Sequence, residues 1–557
     1  MSCSKEATAG KRLMVEHAFR ERVKKRILSN TTAAPTLHED FSAAQAAEGR
    51  GAEDLLRTKP GKNSKRNLLN KVLKDNEWPG LYWAEIPMKD LKTSGIKKVW
   101  MPFLLPHEWV PKYCAQPGAL ADLLQFEDEE LEARLLELAK QLGAPALVAL
   151  GMHGDGVPIG GNMSPDSLDV FNLTLITSSK HSGLRVPFAC MQLKHTLAQE
   201  TFDAVVQILC WSLRCLASGQ NPRARHDGSA WLPSDKHRAV SPDSLGVQAV
   251  LAEIRADWVF LQKLLKFPAW NTGDGMCWRC KCTHKSMRTL DTAAATWRFE
   301  RLLPGQFLQW CRRQRRPVSE LFSLPGVSPD IVFPDWMHSA DMGVAQDIAG
   351  HVFAAVLPTF PGNTKDAQCA KLWQLLREWY EETQVPADHR IQTLHVTDFM
   401  RKDQPNKLRS KAAHARTLVP FLPYVCRKQL PDTDIGRAST KAAETLACCY
   451  HYLPQAPCAE LADASRKFAN TYCALQALVE LTTGKQDWHI KPKLHLFQEL
   501  CEYCQRNPRD FWCYADETFG NVCAKFGVRR GGRDNPGYNA QVILQYWCCS
   551  TPFPDCL

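Results

Sequence analysis

Apolar positions along this 557-residue chain recur at different spacings, and each change of spacing marks a change of structure. Residues 12–28 (RLMVEHAFRERVKKRIL) repeat at helical intervals, whereas 29–64 are rich in Ala, Ser, Gly, Thr and Lys without a period, so a short helix and a linker are expected. From Trp78 to Val110 aromatic residues and prolines crowd together, which predicts a folded but irregular segment. Glu127 to Gln141 starts acidic, lines Leu131, Leu135 and Leu138 on one face and carries Lys140 near its end. That is a polarised amphipathic helix, suited to covering a sheet edge. Three β-rich runs bounded by Gly, Ser or Pro follow (PALVALGMHGDG, SLDVFNLTLIT, RVPFACMQL) and predict a meander. A helix over Thr201 to Ala217, a polar loop over Ser218 to Asp243 and the run GVQAVLAEIRADWVFLQKLL come next. The last begins as a strand and continues as a helix. Beyond about residue 340, segments such as AKLWQLLREWYEET, STKAAETLACCYHYL and KPKLHLFQELCEYC predict an all-helical unit of ~150 residues.

The order β-β-β-α-β-α is that of an RNase H-like fold. The expected class is therefore α+β: an RNase H-like core, a mixed sheet with helices, interrupted by a large all-helical insertion. The chain divides into a basic arm and linker (1–74), an irregular and helical segment packed on the core (75–144), the core with a Cys-rich insertion (145–345), the helical insertion (346–510) and a return segment completing the core (511–557). No internal repeat is visible.

Composition narrows the function classes. Hydrophobic residues at 45%, charged residues at 23% and 17 Trp exclude a mostly disordered scaffold. No apolar run approaches the ~18–20 residues that cross a bilayer, and no apolar stretch follows the first charges, so a soluble intracellular protein without a membrane partner is expected. In that setting 22 cysteines read as reduced thiols plus one metal site rather than a disulfide framework. The net charge of +10 is uneven: residues 1–74 hold 16 Lys and Arg against 8 Asp and Glu. A basic arm suits a polyanion, nucleic acid above all, and reads equally as a solvated leader.

Several residues have the chemistry of a site. Asp155, in His153-Gly154-Asp155-Gly156, leaves a buried strand as a metal-ligating carboxylate would, though Asp-Gly is also a common turn. Asp257 stands at a strand-to-helix switch, where it either caps the helix or points into a site. Cys277-Trp278-Arg279-Cys280-Lys281-Cys282-Thr283-His284 has the close pair of a zinc site. Cys277, Cys280 and His284 are the expected ligands, since Cys282 is too near Cys280 to share an ion easily, and the fourth ligand is unassigned. Asp335 and His338 share one face of a helical turn, as a site pair or as a satisfied core pair. Lys491-Pro492-Lys493-Leu494-His495 precedes a helix bearing Glu517, and the basic Gly-rich loop of Arg529, Arg530 and Arg533 follows it.

Taken in order, these motifs resemble the catalytic region of CACTA-type (En/Spm-like) DNA transposases, from about Asp155 to Gln545. The resemblance implies an RNase H-like core with a DDE triad, here Asp155, Asp257 and Glu517, holding Mg²⁺ or Mn²⁺ for phosphodiester cleavage and strand transfer. It places Asp335 and His338 near the metals as phosphate contacts or supporting donors, and gives Arg529, Arg530 and Arg533 to DNA. Double-stranded DNA, a homo-oligomer in an active protein and a nuclear location are implied with it. The alternative is a catalytically inactive, transposase-derived DNA- or protein-binding protein. The chain is short for the family and lacks an evident separate DNA-reading module.

Overall fold

The computed structural model describes residues 77–159, 166–176, 183–269, 277–303, 305–485, 487–528, 535–551 and 553–554. The basic arm and Arg529, Arg530 and Arg533 lie outside the described residues. The chain forms two compact units. The first takes the described residues up to Ala252, Ser323–Gly326 and those from Asp516 onward; the second takes Glu253–Phe322 and Val327–Ala515.

The first unit opens with an antiparallel hairpin, β1 (Tyr82–Lys89) and β2 (Ile96–Phe103), with Tyr82 opposite Phe103 and Ile86 opposite Val99. The aromatic, proline-rich segment is thus regular where irregular structure was expected. Tyr82, Ala84, Ile86 and Met88 are buried in strict alternation, and that period-2 face outweighs Pro87. Helix α1 (Pro106–Cys114) follows, then α2 (Glu129–Leu142), the amphipathic helix read from the sequence. Asp128 caps α2 by accepting from the Leu131 amide, and Gly143 ends it at φ 63°, a conformation glycine adopts without steric cost. Leu131, Leu135 and Leu138 pack with Leu147, Ala149, Val250 and Ala252, each such burial being worth about 1.5–3 kcal/mol.

The predicted meander is present as β3 (Val148–Ile159), β4 (Asp166–Leu175) and β5 (Val186–Gln192), all antiparallel. Helix α3 (Glu200–Ser218) leads back to β6 (Ala249–Ala256). The sheet is mixed, in the order β5-β4-β3-β6-β7, and β6 is shared, its residues to Ala252 falling in the first unit and the rest in the second.

In the second unit the end of β6 pairs in parallel with β7 (Val332–Phe333). Helix α4 (Trp258–Leu265) follows β6 directly, and α5 (Gln306–Arg313) closes the Cys-rich segment. After β7 a π-helical stretch, Met337–Ala345, runs into α6 (Gln346–Val356). Then come α7 (Lys365–Glu382), α8 (Ala412–Leu418), α9 (Phe421–Gln429), α10 (Asp434–Tyr452), α11 (Ala459–Thr483) and α12 (Pro492–Glu502). Cys277, Cys280 and Cys282 pack in one apolar cluster with these helices and with Phe333 of β7, and Trp278 Nε1 donates to the Val332 carbonyl of that strand. Helix α13 (Tyr514–Val528) carries the chain back, and α14 (Pro536–Ser550) ends it. Within the first unit Cys523, Ala524, Ile543 and Leu544 from these two helices pack on Val157, Leu168 and Val170 of the sheet. Among the described residues no helix is long and apolar enough to cross a membrane.

Candidate metal centre and acidic pocket

Four buried side chains of the second unit converge: Cys277, Cys280, His495 and Glu499, with one ligand atom of each lying within 4.8 Å of all the others. Local backbone explains the thiols. Cys277 donates its amide to the Cys282 carbonyl at 3.2 Å, the Arg279 amide points at Cys277 Sγ at 3.3 Å, and Cys280 bridges Arg301 in antiparallel fashion. This knuckle turns two thiols, three residues apart, to one side. His495 and Glu499 are i and i+4 on α12 and so share a face. Cys280 Sγ stands 3.5 Å from His495 Nε2, which stands 3.6 Å from Glu499 Oε1. Ligands ~2.0–2.3 Å from a tetrahedral ion are about 3.3–3.8 Å apart, and these two distances fall in that range, so the group can hold a metal.

The electrostatics agree with that reading. Burial pushes both thiols up, well above the usual range for Cys277, so without an ion they stay protonated; a bound cation would convert them to thiolates. Burial also raises the Glu499 carboxyl, but Arg301, His495 and Arg279 outweigh it and hold it below the usual carboxylate range. Arg301 grips Glu499 through two bonds of 2.6 and 2.7 Å, so this carboxylate is a weaker ligand than the other three. The soft S₂N donor set fits Zn²⁺.

His284, expected as the third ligand, is not in this group; it follows Thr283, whose amide bonds Ser286 Oγ in the turn that leads away. Cys282 is buried beside the centre and contacts Thr283 and Ser286. The further ligands come from 215 residues along the chain. A sequence signal for them existed in the His-x-x-x-Glu spacing of KPKLHLFQEL, which is one helix face.

A pocket of about 470 Å³ in the same unit holds the second set of predicted residues. Asp257, Asp335 and His338 line it together with Lys407, Lys491 and Lys493. Asp257 is the helix cap that its strand-to-helix position allowed, accepting from the Phe260 amide at 2.6 Å, and it also faces the pocket. Asp335 Oδ2 accepts from His338 Nδ1 at 2.7 Å and from the His338 amide at 2.8 Å, while Oδ1 accepts from the Cys513 amide at 2.9 Å. Burial raises this carboxyl, yet the bonds from His338 and Cys513 prevail and hold it low. Lys491 pairs with Asp347 at 2.9 Å, and burial with the neighbouring Lys407 brings Lys493 down to about 8. Gly343, in the π-helical stretch, leaves space for Lys493: a Cβ there would come within 2.8 Å of the lysine side chain.

Asp155 and Glu517 belong to the first unit. Asp155 is not at a strand end, as the Asp-Gly pair suggested; β3 continues to Ile159, with Asp155 opposite Val170. The flanking glycines therefore lie within the strand rather than in a turn. Asp155 shares its face with Val157, two residues on. That face meets α13, where a Cβ on Gly520 would lie 2.6 Å from Val157. Glu517, one turn before Gly520, is on the same side of α13. These two carboxylates thus lie on facing surfaces of one unit. The neighbouring Asp516 is taken by Arg185 at 2.9 Å.

Comparison with known proteins adds no relative: no protein-family model matches this chain, and no curated protein matches it.

Proposed function

We propose that this chain is a DNA-processing protein of the CACTA transposase type, cleaving phosphodiesters with Asp155, Asp257 and Glu517 as the ligands of catalytic Mg²⁺ or Mn²⁺ and carrying a structural Zn²⁺ on Cys277, Cys280, His495 and Glu499. The observation that carries the reading is the pocket shared by Asp257, the bonded Asp335–His338 pair and three lysines. Carboxylate oxygens there suit a hard divalent ion, and ammonium groups beside them suit a phosphate. Divalent ions held by the carboxylates would activate an attacking hydroxyl and stabilise the leaving oxyanion. Asp335 fixes the His338 imidazole in the pocket wall, where it supports a phosphate oxygen, and Lys407 and Lys493 balance its charge. Strand transfer by such a protein implies paired chains and a nuclear location.

Incubation of the full chain with supercoiled plasmid and Mn²⁺ tests the reading. Metal-dependent nicking is expected, falling to background in Asp155→Asn, Asp257→Asn and Glu517→Gln. Nicking that survives all three substitutions would assign it to another nuclease. No nicking by the unaltered chain, with salt-sensitive DNA binding retained, would select the inactive, DNA-binding alternative.

A further inference from the structure

A second depression, of about 480 Å³, borders the candidate zinc centre of the helical unit and has no part in the proposed cleavage. It is lined by Cys277, Cys280, Lys281, Trp310, Arg313 and the glutamines Gln306, Gln309 and Gln314. The volume falls in the range of pockets that enclose small-molecule-sized groups. Its surroundings are strongly basic. Residues 301–319 contain no Asp or Glu, and four of the five residues Arg312–Arg316 are arginine. Helix α5 buries Phe307, Leu308 and Cys311, which turns Gln309, Arg312 and Arg313 outward. Arg312, Arg313 and Arg315 are exposed, and none of them pairs with a carboxylate among the described residues. The helix ends with Arg315 at φ 51°, a left-handed position where glycine is the usual choice and a side chain costs about 1–2 kcal/mol. The positive charge stands at a place where stability alone favours glycine.

The aromatic part is equally specific. Trp310 is half-buried, its ring stacked on Phe307 at 5.9 Å and overlaid by the Arg316 guanidinium at 5.4 Å. An aromatic ring in a concave pocket, side-chain amides around it and arginines without carboxylate partners outside are the parts that bind an unstacked base and its flanking phosphates. Duplex DNA keeps its bases in the stack, beyond the reach of such a pocket.

We propose that this depression takes one unpaired nucleotide of a single-stranded nucleic acid, with the base against Trp310, its edge on the glutamine amides, and the adjacent phosphates on Arg312, Arg313, Arg315 and Lys281. Base entry displaces Arg316 from the ring face and frees its guanidinium for phosphate. The site shares with the proposed function the class of partner and the two cysteines of the candidate zinc centre, and Asp257, Asp335 and His338 are not among its lining residues. Failure of plasmid nicking and failure of single-strand binding are therefore separate results.

The test is fluorescence anisotropy of the full, zinc-loaded chain without added divalent ions, on a labelled 20-nucleotide oligo-dT, the matching oligo-U and a 20-base-pair duplex, over a series of salt concentrations. Trp310→Ala is expected to weaken oligo-dT binding about 10-fold, since stacking is worth ~1–3 kcal/mol per base, and to leave duplex binding unchanged; Trp310→Phe restores most of the loss. The exposed triple variant Arg312→Ala/Arg313→Ala/Arg315→Ala should lower oligo-dT affinity and reduce the salt slope by about 2. Tighter binding of oligo-dT or of oligo-U than of the duplex supports the pocket, the tighter of the two identifying the strand, and equal or tighter binding of the duplex overturns it. Equal losses on single strand and duplex in Trp310→Ala, or an unchanged salt slope in the triple variant, would overturn the nucleotide pocket. The three arginines are on the surface, so the triple variant decides the matter even where Trp310→Ala loses its fold.

Discussion

Cys280 Sγ and His495 Nε2 lie 3.5 Å apart although 215 residues separate them in the chain. The contact ties a Cys-x-x-Cys knuckle to the helix that follows the long α-helical run, so an ion bound there would link two segments of the helical unit. Trp297 meets the imidazole edge-on, with ring centres 4.4 Å apart, and packs against that side of the centre.

About one zinc per chain is expected by elemental analysis, lost in Cys277→Ser/Cys280→Ser and in His495→Ala but retained in His284→Ala. Loss in His284→Ala with retention in His495→Ala would return the third ligand to the local sequence. Because both thiols are protonated without the ion, zinc uptake should release protons and weaken as pH falls; titration with a competing chelator at two pH values measures this.

Gly350 sits where a Cβ would fall 2.4–2.6 Å from the Lys407 backbone. Gly350→Ala forces α6 and the Lys407 segment apart, and overpacking of this kind costs about 1–3 kcal/mol or more. Urea denaturation should show the midpoint falling, while Gly484→Ala, with open space around it but φ at 68°, should cost only about 1–2 kcal/mol of local strain. Equal midpoints for Gly350→Ala and the unaltered protein would remove the close approach.

Asp341 accepts from Tyr514 at 2.6 Å and from Tyr450 at 2.7 Å, and burial raises its carboxyl to about 7 despite these bonds and Arg416 nearby. A carboxyl raised in the folded state favours folding while it holds its proton. That stability is fully present below about 4, the unfolded value, and is lost as pH climbs to about 7. Asp341→Asn should remove this decline, so the variant's stability relative to the unaltered protein rises between pH 4 and 7, by an amount on the order of a few kcal/mol. A flat difference across that window, measured by denaturation at stepped pH, would place the proton elsewhere.

Gly520 lets α13 close onto β3 at Val157. Gly520→Leu should lift the helix, lowering stability and, with Glu517 displaced from the face opposite Asp155, abolishing nicking while zinc content stays unchanged. Normal nicking in a stable Gly520→Leu protein would separate Glu517 from the reaction.

Periodicity alone determined α2, the β3-β4-β5 meander, the β6-to-α4 switch and the long helical run, because each rests on a local repeat of apolar positions that its own hydrogen bonding fixes. The hairpin of β1 and β2 was also legible in the alternation of Tyr82, Ala84, Ile86 and Met88, though Pro87 and the aromatic density hid it. Two members of the metal centre, Cys277 and Cys280, were visible because neighbours three residues apart constrain each other through the backbone. His495 and Glu499 were visible only as an unassigned helix face, and nothing local links them to the cysteines. Their meeting depends on packing of the Cys-rich segment against the helices, a long-range event driven by burial that no spacing records. The same holds for the pocket joining Asp257 to Asp335 and His338, and for α13 meeting the Asp155 face at Gly520. Sequence supplied the side chains and their local faces; which faces meet was decided by tertiary packing, because close-packed contacts between distant segments are set by shape and buried area rather than by position along the chain.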